Sequence, residues 1–295
     1  KWLTLFILTV AGLLLLFGYF VEHYSFLDMF MAVVGLSVAA IPEGLPAVLT
    51  ITLAIGVQAM ARRNAIIRRL PAIETLGSVS VICTDKTGTL TRNEMVVTSA
   101  AVSEQVFEVE GDGYHPGGQV FHNGAPVGPR EHGTLQDLAL AAGLCNDAEL
   151  NDREGSWSVN GDPMEGALLA FAAKVHGGLD QVGADWERLD AIPFDSRHRY
   201  MATFHRHRDG GARVFVKGAP ETVLAMCQTE RSADGGERAL DAQAWYTIAE
   251  DQASHGRRML AFAVREGEPD EAALTKASVE GRMAFLGVVG MIDPP

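Results

Sequence analysis

The sequence predicts a multidomain membrane protein, in which an α-helical transmembrane hairpin precedes a soluble α/β part. Two observations lead to this fold class. As far as about Met60 the charged residues are only Lys1, Glu22, Asp28 and Glu43, although the 295-residue chain carries a net charge of −13. The remainder has the composition of an acidic soluble protein and is long enough to bury a sizeable core.

The predicted hairpin consists of two apolar runs. Trp2–Val21 is uncharged and long enough to cross a bilayer, and a second run extends from about Phe26 to Val57. A cleaved signal peptide is the alternative for the first run, but no convincing cleavage site follows it. Four arginines follow the second run, and by the positive-inside rule they place both ends of the hairpin in the cytoplasm: Arg62, Arg63, Arg68 and Arg69.

The second run is interrupted by Ile41-Pro42-Glu43-Gly44-Leu45-Pro46. Prolines remove backbone donors, so the carbonyls of the preceding turn need another partner within the membrane. A cation is one such partner, with the Val38, Ala39 and Ile41 carbonyls and the Glu43 carboxylate as predicted ligands. Because all of these are oxygen atoms, they favour a hard cation. A plain proline kink, with Glu43 paired structurally, is the alternative.

The predicted chemistry of the soluble part starts at Asp85. Val79–Cys83 is β-rich and apolar, which predicts a buried strand. Asp85 then follows at the carboxyl end of that strand, where α/β folds place their reactive groups. Lys86 adds positive charge and Gly88 permits a tight turn, so the segment suits a phosphoryl group.

Residues Asp85–Thr91 read DKTGTLT, and the chain resembles the P-type ATPases, whose phosphorylation signature this is. The IPEGLP stretch lies upstream, where that family keeps its ion-binding helix. Across the whole chain the resemblance is to the calcium-pump branch, the sarcoplasmic-reticulum type and its bacterial relatives. It implies a haloacid-dehalogenase-like α/β phosphorylation domain, present in part, with an inserted mixed α/β nucleotide-binding domain.

The resemblance implies that Asp85 attacks the γ-phosphate of ATP and becomes an aspartyl phosphate. Mg²⁺ would bridge the Asp85 carboxylate and the Thr87 carbonyl, while Lys86 and Thr89 position the phosphoryl group. Related phosphatases commonly carry a second aspartate at the place of Thr87. A hydroxyl is a poor base there, so we expect the acyl phosphate to persist, as a pump requires.

Local patterns predict the elements of the nucleotide domain. Gly111–Gly118 is typical of a hairpin turn, and Leu135–Cys145 has the periodicity of a helix. Asp162-Pro163 predicts the start of a second helix, Ala167–Lys174. The polar stretch 205–211 predicts another hairpin turn, with its histidines, including His205 and His207, on the surface.

The resemblance also implies an ATP pocket. Phe194 would stack on adenine, Glu165 would contact its amino edge, and Lys217 of the FVKGAPE motif would approach the base and phosphates. The implied set is completed by Gly218, Arg199 and Arg258. Arg197 is an alternative to Arg199, and only one of Arg257 and Arg258 is expected to reach the ligand. Met164 is a departure, since threonine is common there.

The predicted domains are 1–60 (two transmembrane helices), 61–96 (stalk and first part of the phosphorylation domain), 97–283 (nucleotide-binding domain) and 284–295 (return strand into the phosphorylation domain). The first residue is Lys1 and the chain ends at Asp293-Pro294-Pro295, so we expect a fragment. The family's TGD, GDGxND and TGE motifs do not occur in the chain. We therefore expect weak ATP binding and an inactive fragment.

The predicted function of the parent protein is ATP-driven cation transport, with Ca²⁺ efflux from the cytoplasm the first choice. The alternatives are a Na⁺ or Mn²⁺ pump, a membrane-anchored haloacid-dehalogenase-type phosphatase, and a non-catalytic nucleotide-binding membrane sensor. A P-loop ATPase is excluded because GxxxxGK[ST] is absent. The expected location is a bacterial inner membrane, with the nucleotide domain in the cytoplasm.

Composition limits the expected partners. The predicted partners are ATP, Mg²⁺, the transported cation and the lipid bilayer, with no obligate protein partner evident. The acidic charge balance argues against nucleic acid. The three widely spaced cysteines are expected to be reduced thiols: Cys83, Cys145 and Cys227.

Overall fold

The computed structural model describes residues 2–40, 44–85, 88–91, 94–129, 131–267 and 273–294. Contacts divide the chain into two compact units, Lys1–Cys83 and Thr84–Pro295. They are called unit 1 and unit 2 below. Each unit is built from its own local elements.

Unit 1 is helical. It contains α1 (Trp2–Phe20), α2 (Phe26–Ala39), α3 (Gly44–Ala61) and the short α4 (Pro71–Leu76). Ser25 caps α2, because its hydroxyl accepts a hydrogen bond from the Asp28 N–H at 3.2 Å. α1 and α2 approach closely at Gly18, where a Cβ atom would overlap with the side chain of Met29. The two helices therefore pack against each other at Gly18.

The second apolar run is two helices, α2 and α3, in the described residues. α2 ends at Ala39, three residues before Pro42 in the sequence. This end is expected, because a proline has no N–H to donate to the carbonyl of Val38, four residues earlier. Ile41 and Glu43, two of the predicted cation ligands, lie outside the described residues. Val38 and Ala39, the other two, are the last residues of α2.

The side chains of unit 1 are apolar and largely exposed. Trp2, Leu27 and Leu45 are each more than half exposed, and Ala11 and Val33 are its buried hydrophobic residues within the described part. By length and composition, the stretch Phe26–Ala61 qualifies as a membrane span, and the apolar helix Thr4–Phe20 is shorter. This pattern is the reverse of a soluble protein, whose large apolar side chains are mostly inside.

Unit 2 is a mixed α/β domain around an 11-stranded sheet. The described strands are β1 (Val96–Val102), β2 (Gln105–Val109), β3 (Val120–His122), β4 (Ala125–Val127), β5 (Glu149–Arg153), β6 (Ser156–Asn160), β7 (Trp186–Asp195), β8 (Tyr200–His207), β9 (Ala212–Gly218), β10 (Cys227–Arg231), β11 (Glu237–Ala239), β12 (Arg258–Glu266) and β13 (Met283–Ile292). The helices are α5 (Gly133–Leu144), α6 (Pro163–His176), α7 (Pro220–Ala225) and α8 (Ala242–Ser254).

The main path of the sheet runs β4-β3-β2-β1-β13-β12-β9-β8-β7, and β5 and β6 form a separate two-stranded sheet. Neighbours on the main path are antiparallel, whereas β10 joins β13 in parallel and carries β11 at its edge. Helices α5 and α6 cover one face, and α7 and α8 contribute to the core on the other. The sheet is therefore buried between two helical layers.

The two cores follow the two-residue period of the strands. On β9, Phe215 belongs to the core that contains α5 and α6, whereas Val214 and Val216 belong to the opposite core. Lys217 is the next residue after Val216, so its side chain shares the face of Phe215. This alternation turns a charged residue toward α6.

The structure confirms the local elements predicted for this domain. α5 covers the predicted helix Leu135–Cys145 apart from its last residue, and α6 contains Ala167–Lys174. Asp162 caps α6 by accepting a hydrogen bond from the Met164 N–H at 2.8 Å. The Gly111–Gly118 turn connects β2 to β3, and residues 208–211 connect β8 to β9.

The predicted strand Val79–Cys83 is not a strand in the structure. Val81 is 75% and Ile82 is 82% exposed. A parallel strand forms only where neighbouring strands accept and donate its backbone hydrogen bonds. Within the described residues, these five residues have no such neighbour.

Residues 284–295, which we predicted as the return strand into the phosphorylation domain, contain most of β13. This strand pairs with β1 on one side and β12 on the other, inside the sheet of unit 2. The strand character of this apolar run was predicted, but its pairing partners β1 and β12 could not be, because most of their residues lie far away in the sequence. The division between the two units falls at Cys83/Thr84. The predicted domain bounds, with 61–96 as stalk and first part of the phosphorylation domain, stay predictions.

His205 also differs from the prediction. We expected it on the surface, but it is 3% exposed, because it lies on the inner strand β8 before the turn begins. Burial, and to a smaller extent the charge of Arg188, lowers the pKa of His205 to about 4. The cysteines agree with the prediction of free thiols: Cys83 is exposed, and burial raises the pKa of Cys145 and of Cys227.

Candidate functional site

The centre of the candidate site is a buried ion pair between β9 and α6. The Lys217 ammonium group donates a hydrogen bond to Oε1 of Glu165. The two side chains are only 8% and 15% exposed. Lys217 is brought there by the alternation of β9, and Glu165 by its place in the first turn of α6 after the Asp162 cap. A buried charge requires such a partner.

The second oxygen of Glu165 is also occupied. Its Oε2 atom accepts a hydrogen bond from the backbone N–H of Asp147 at 3.0 Å. Asp147 lies in the loop that follows α5. The carboxylate is thus held between a strand and a loop, and it has lone pairs left for a further donor.

Phe194 lies near the end of β7 and is 61% exposed. It is the most exposed large hydrophobic residue among the described residues of unit 2. It lies in the register shift between the pairs Ile192–Ala202 and Asp195–Tyr200, beside Met201 on β8, and Met201 lies directly opposite Lys217 on β9. Two strand spacings, about 10 Å, therefore separate the strand positions of Phe194 and Lys217. An exposed aromatic ring at this distance can stack on a planar ligand.

The arginines after Phe194 have different partners. Arg197 binds Asp195 with an N–O distance of 2.7 Å, and this contact lowers the pKa of the Asp195 carboxyl group. Arg199 has a positive φ of 57° and forms a 2.7 Å ion pair with Glu221, the acidic residue of the FVKGAPE motif. Arg199 and the motif are therefore in contact in this structure.

Gly218 permits a close approach, but between strands. A Cβ atom at this position would lie 2.5 Å from the Arg199 carbonyl oxygen, and Tyr200 is its partner on β8. The absence of a side chain is thus required by the β8–β9 pairing itself. Whether it also admits a ligand stays a prediction.

Of the adjacent Arg257 and Arg258, Arg257 has hydrogen-bond partners within the domain. Its guanidinium group donates to the Gln252 side-chain oxygen at 2.6 Å and to the Thr98 hydroxyl at 3.2 Å. Arg258, the first residue of β12, is exposed. This arrangement favours Arg258 as the arginine that can meet a ligand.

Asp85 is exposed at the start of unit 2. The last residue of its DKTGTLT motif, Thr91, is hydrogen-bonded to Asp293. Gly88 has a φ of 72°, and its N–H donates to the Thr91 hydroxyl at 3.3 Å. Thr91 in turn donates to Asp293 at 2.7 Å. Thr89 is exposed, whereas Lys86 and Thr87 lie outside the described residues.

A family model described as "P-type ATPase, cytoplasmic domain N" matches residues 134–295, which is more than half of the chain. The chain belongs to the P-type ATPase family. Unit 2 therefore contains the nucleotide-binding domain of a P-type ATPase, and its mixed α/β sheet is the sheet of that domain.

Curated relatives have the same affiliation. The chain is 46% identical over 283 residues to the cation-transporting ATPase pma1 of Synechocystis sp., which covers 91% of this chain and 30% of the relative. It is 37% identical over 281 residues to a calcium-transporting ATPase of Bacillus subtilis, covering 93% and 31%. Identity to the calcium-transporting ATPase type 2C member 1 of Bos taurus is 38% over 299 residues, covering 100% and 30%. The chain thus spans about 30% of these relatives.

In this P-type ATPase domain the structure brings together some of the predicted site residues. Glu165 and Lys217 are in direct contact. Arg199 lies in the turn before β8, and its carbonyl oxygen accepts a hydrogen bond from the Ala219 N–H, next to Gly218, at 3.0 Å. Within the described residues, no hydrogen bond or ion pair connects Asp85 to this group.

Sequence reasoning missed the residues that hold Glu165. These are Asn146 and Asp147 after α5, and Arg188 on β7. A signal was present, since Asn146-Asp147 is a polar pair directly after an apolar helix. Such a pair more often marks only a helix end, so the sequence did not distinguish it.

Proposed function

We propose that this chain is the part of an ATP-driven cation pump that binds ATP and carries the phosphorylated aspartate, and that the transported ion is Ca²⁺. The observation that carries the proposal is the buried Lys217–Glu165 pair on β9 and α6, with the exposed Phe194 ring two strands away on β7. A cation, an acceptor and an exposed aromatic face are the groups that a nucleotide base with its phosphates requires.

In the proposed reaction a carboxylate oxygen of Asp85 attacks the γ-phosphorus of ATP. The new O–P bond forms as the bond to the ADP oxygen breaks, giving an aspartyl phosphate and ADP. Lys86 and Thr89 would position the phosphoryl group. Asp85 is exposed, as an attacking group must be.

The proposed reaction uses Mg²⁺, and an exposed carboxylate such as that of Asp85 is a suitable hard oxygen ligand. The Thr87 carbonyl, outside the described residues, would be a second ligand. Mg²⁺ supplies neutralisation of the phosphoryl charge when bound.

In the proposed nucleotide pocket, Phe194 stacks on the adenine ring and Glu165 accepts a hydrogen bond from its amino group. Lys217, Arg199 and Arg258 supply positive charge for the base edge and the phosphates. Support comes from the exposure of Phe194 and Arg258 and from the location of Lys217 beside Glu165. In the proposed cycle, phosphate transfer then proceeds from this bound ATP.

We propose that unit 1 is the membrane part, in a bacterial inner membrane with unit 2 in the cytoplasm. Support comes from the outward-facing apolar side chains of α1–α3. The proposed ion ligands are the carbonyls of Val38, Ala39 and Ile41 and the carboxylate of Glu43. Oxygen ligands suit Ca²⁺, and two of the relatives are named calcium-transporting ATPases.

The test is phosphoenzyme formation by the full-length parent with γ-labelled ATP and acid quench. We expect a hydroxylamine-sensitive label that requires Ca²⁺ and disappears in Asp85→Asn. A label that requires Na⁺ or Mn²⁺ would retain the reaction and overturn the ion. A folded protein that forms no acid-stable label with any ion would overturn the proposed pump.

A further inference from the structure

The carboxylate and the backbone of Glu165 are both held by one loop, Cys145–Ala148, which follows α5. The Asp147 N–H donates to Glu165 Oε2 at 3.0 Å, and the Asn146 side-chain N–H₂ donates to the Glu165 carbonyl oxygen at 2.9 Å. Two contacts to one residue fix both its main chain and its side chain. The loop is therefore in a position to determine where the carboxylate points.

Asn146 is the centre of this loop and is only 8% exposed. Its Nδ2 atom also donates to the Ala142 carbonyl at 3.2 Å, and its Oδ1 atom accepts from the Ala148 N–H at 2.9 Å. Gly161 permits this packing, since a Cβ atom there would lie 3.0 Å from the Ala148 Cα atom. Both ends of the amide are thus used, as is typical of a side chain that holds a loop in one conformation.

Arg188 connects the loop to the strand that carries Phe194. Its Nη1 atom donates to the Asp147 carboxylate at 2.6 Å and to the Asn146 carbonyl at 3.3 Å. Arg188 lies on β7, the same strand as Phe194. The acceptor Glu165 and the aromatic ring are thereby linked through one charged contact.

We propose that Asn146, Asp147 and Arg188 are positioning residues that make this site selective for a 6-aminopurine over a 6-oxopurine nucleotide. The inference rests on the proposed function. A carboxylate only accepts hydrogen bonds, so it attracts the exocyclic amine of adenine and repels the oxygen that hypoxanthine presents at the same place. This discrimination requires a fixed carboxylate. A carboxylate that could rotate away would no longer repel the oxygen of hypoxanthine.

The experiment measures the Kd values of ATP and inosine triphosphate for the full 295-residue chain in detergent, by displacement of a fluorescent nucleotide. The variants are Asn146→Asp, which removes the donor to Glu165, and Arg188→Gln, which releases the loop. We expect ATP affinity to fall about three- to tenfold, the equivalent of one lost hydrogen bond, while inosine triphosphate affinity stays within about twofold. A general structural defect would instead weaken both nucleotides equally.

Two further variants sharpen the result. Arg208→Gln is the matched control, because it breaks an exposed 3.1 Å pair with Asp185 and should leave the ratio of the two Kd values unchanged. In Glu165→Gln the ratio should fall, and adding Arg188→Gln should then change it no further. If Asn146→Asp does not fold, the Arg188 variants test the same link.

The outcomes separate the inference from the proposed function. A wild-type chain that prefers ATP, with a ratio that falls in Glu165→Gln but not in Asn146→Asp or Arg188→Gln, overturns the positioning role and retains ATP binding. A folded wild-type chain that binds both nucleotides equally overturns the selectivity and retains ATP binding, whereas one that binds neither nucleotide also overturns the proposed nucleotide pocket.

Discussion

The hydroxyl of Thr91 donates a 2.7 Å hydrogen bond to Oδ2 of Asp293, although 202 residues separate them. Thr91 precedes β1 and Asp293 follows β13, and these strands are antiparallel neighbours with Val96 opposite Ile292. The contact therefore joins the entry and the exit of the sheet. It connects the segment that contains Asp85 to the far end of the nucleotide domain.

We predict that Thr91→Val lowers the free energy of unfolding of unit 2 by about 1 kcal/mol, because the Asp293 carboxylate loses a partner. Hydrogen exchange of amides at the start of β1 should become faster, since the sheet opens more easily at its entry. Thr229→Val is the control, as it removes an exposed 2.7 Å bond to Glu237 away from this entry. Unchanged exchange in Thr91→Val would show that the bond contributes nothing to closing the sheet.

The Lys217–Glu165 pair predicts strong coupling between two substitutions. Lys217→Met or Glu165→Gln alone should lower the free energy of unfolding by about 3–5 kcal/mol, because each leaves the partner buried without its counter-charge or charged donor. The double variant should cost less than the sum of the two. Urea unfolding followed by tryptophan fluorescence gives the coupling energy.

The control for this cycle is Arg199→Met. Its pair with Glu221 has side chains that are 56% and 48% exposed, so its loss should cost less than about 1 kcal/mol. Strictly additive costs in the Lys217 and Glu165 variants would contradict a direct interaction.

Substitution of Phe194 and of Phe204 should have different effects, the first on ligand binding and the second on stability. Phe194→Ala should reduce ATP affinity at nearly unchanged thermal stability, because the ring is 61% exposed and contributes little to the core. Phe204→Ala should instead lower the free energy of unfolding by about 3–5 kcal/mol, since that ring is 2% exposed. Thermal unfolding and nucleotide titration of both variants make the comparison. Equal ATP affinity in wild type and Phe194→Ala would remove this residue from the proposed pocket.

Because His205 is buried, we predict that the folded protein loses stability in mild acid. The unfolded chain binds a proton at this residue near pH 6.5, whereas the folded chain does so only near pH 4, because burial and Arg188 lower the pKa. Between these values the unfolded state binds more protons, so the free energy of unfolding falls as the pH decreases. The change amounts to about 3 kcal/mol for a shift of this size.

His205→Leu should remove this part of the pH dependence, and urea unfolding at pH 7 and pH 4.5 measures it. The control is His207→Gln, because the side chain of His207 is 29% exposed and lies at the turn. If wild type and His205→Leu lose equal stability on acidification, another group is responsible.

The residue types of the proposed pocket were predictable because they lie in short motifs. The start of α6 follows from Asp162 and Pro163, which cap a helix through contacts within one turn. The hairpin between β8 and β9 follows from the polar stretch around Gly210. In each of these cases the decisive interactions join residues that are close in the sequence.

Other features were not predictable in this way. Val79–Cys83 has the composition of a buried strand, but composition does not supply the neighbouring strand that it needs. His205 lies in a polar stretch, yet the helices on one face of the sheet bury it. Asn146 and Arg188 are ordinary polar residues until the fold brings them to Glu165.

The sequence by itself determined the family resemblance, the apolar runs, and which residues, Asp85 among them, are proposed for the site. These depend on residue chemistry and on patterns within a few turns. Only the tertiary structure decided that β13 lies in the middle of the sheet, that Lys217 is buried against Glu165, and that Thr91 reaches Asp293. The physical reason is that strand pairing and burial depend on contacts between residues far apart in the sequence, which no local pattern records.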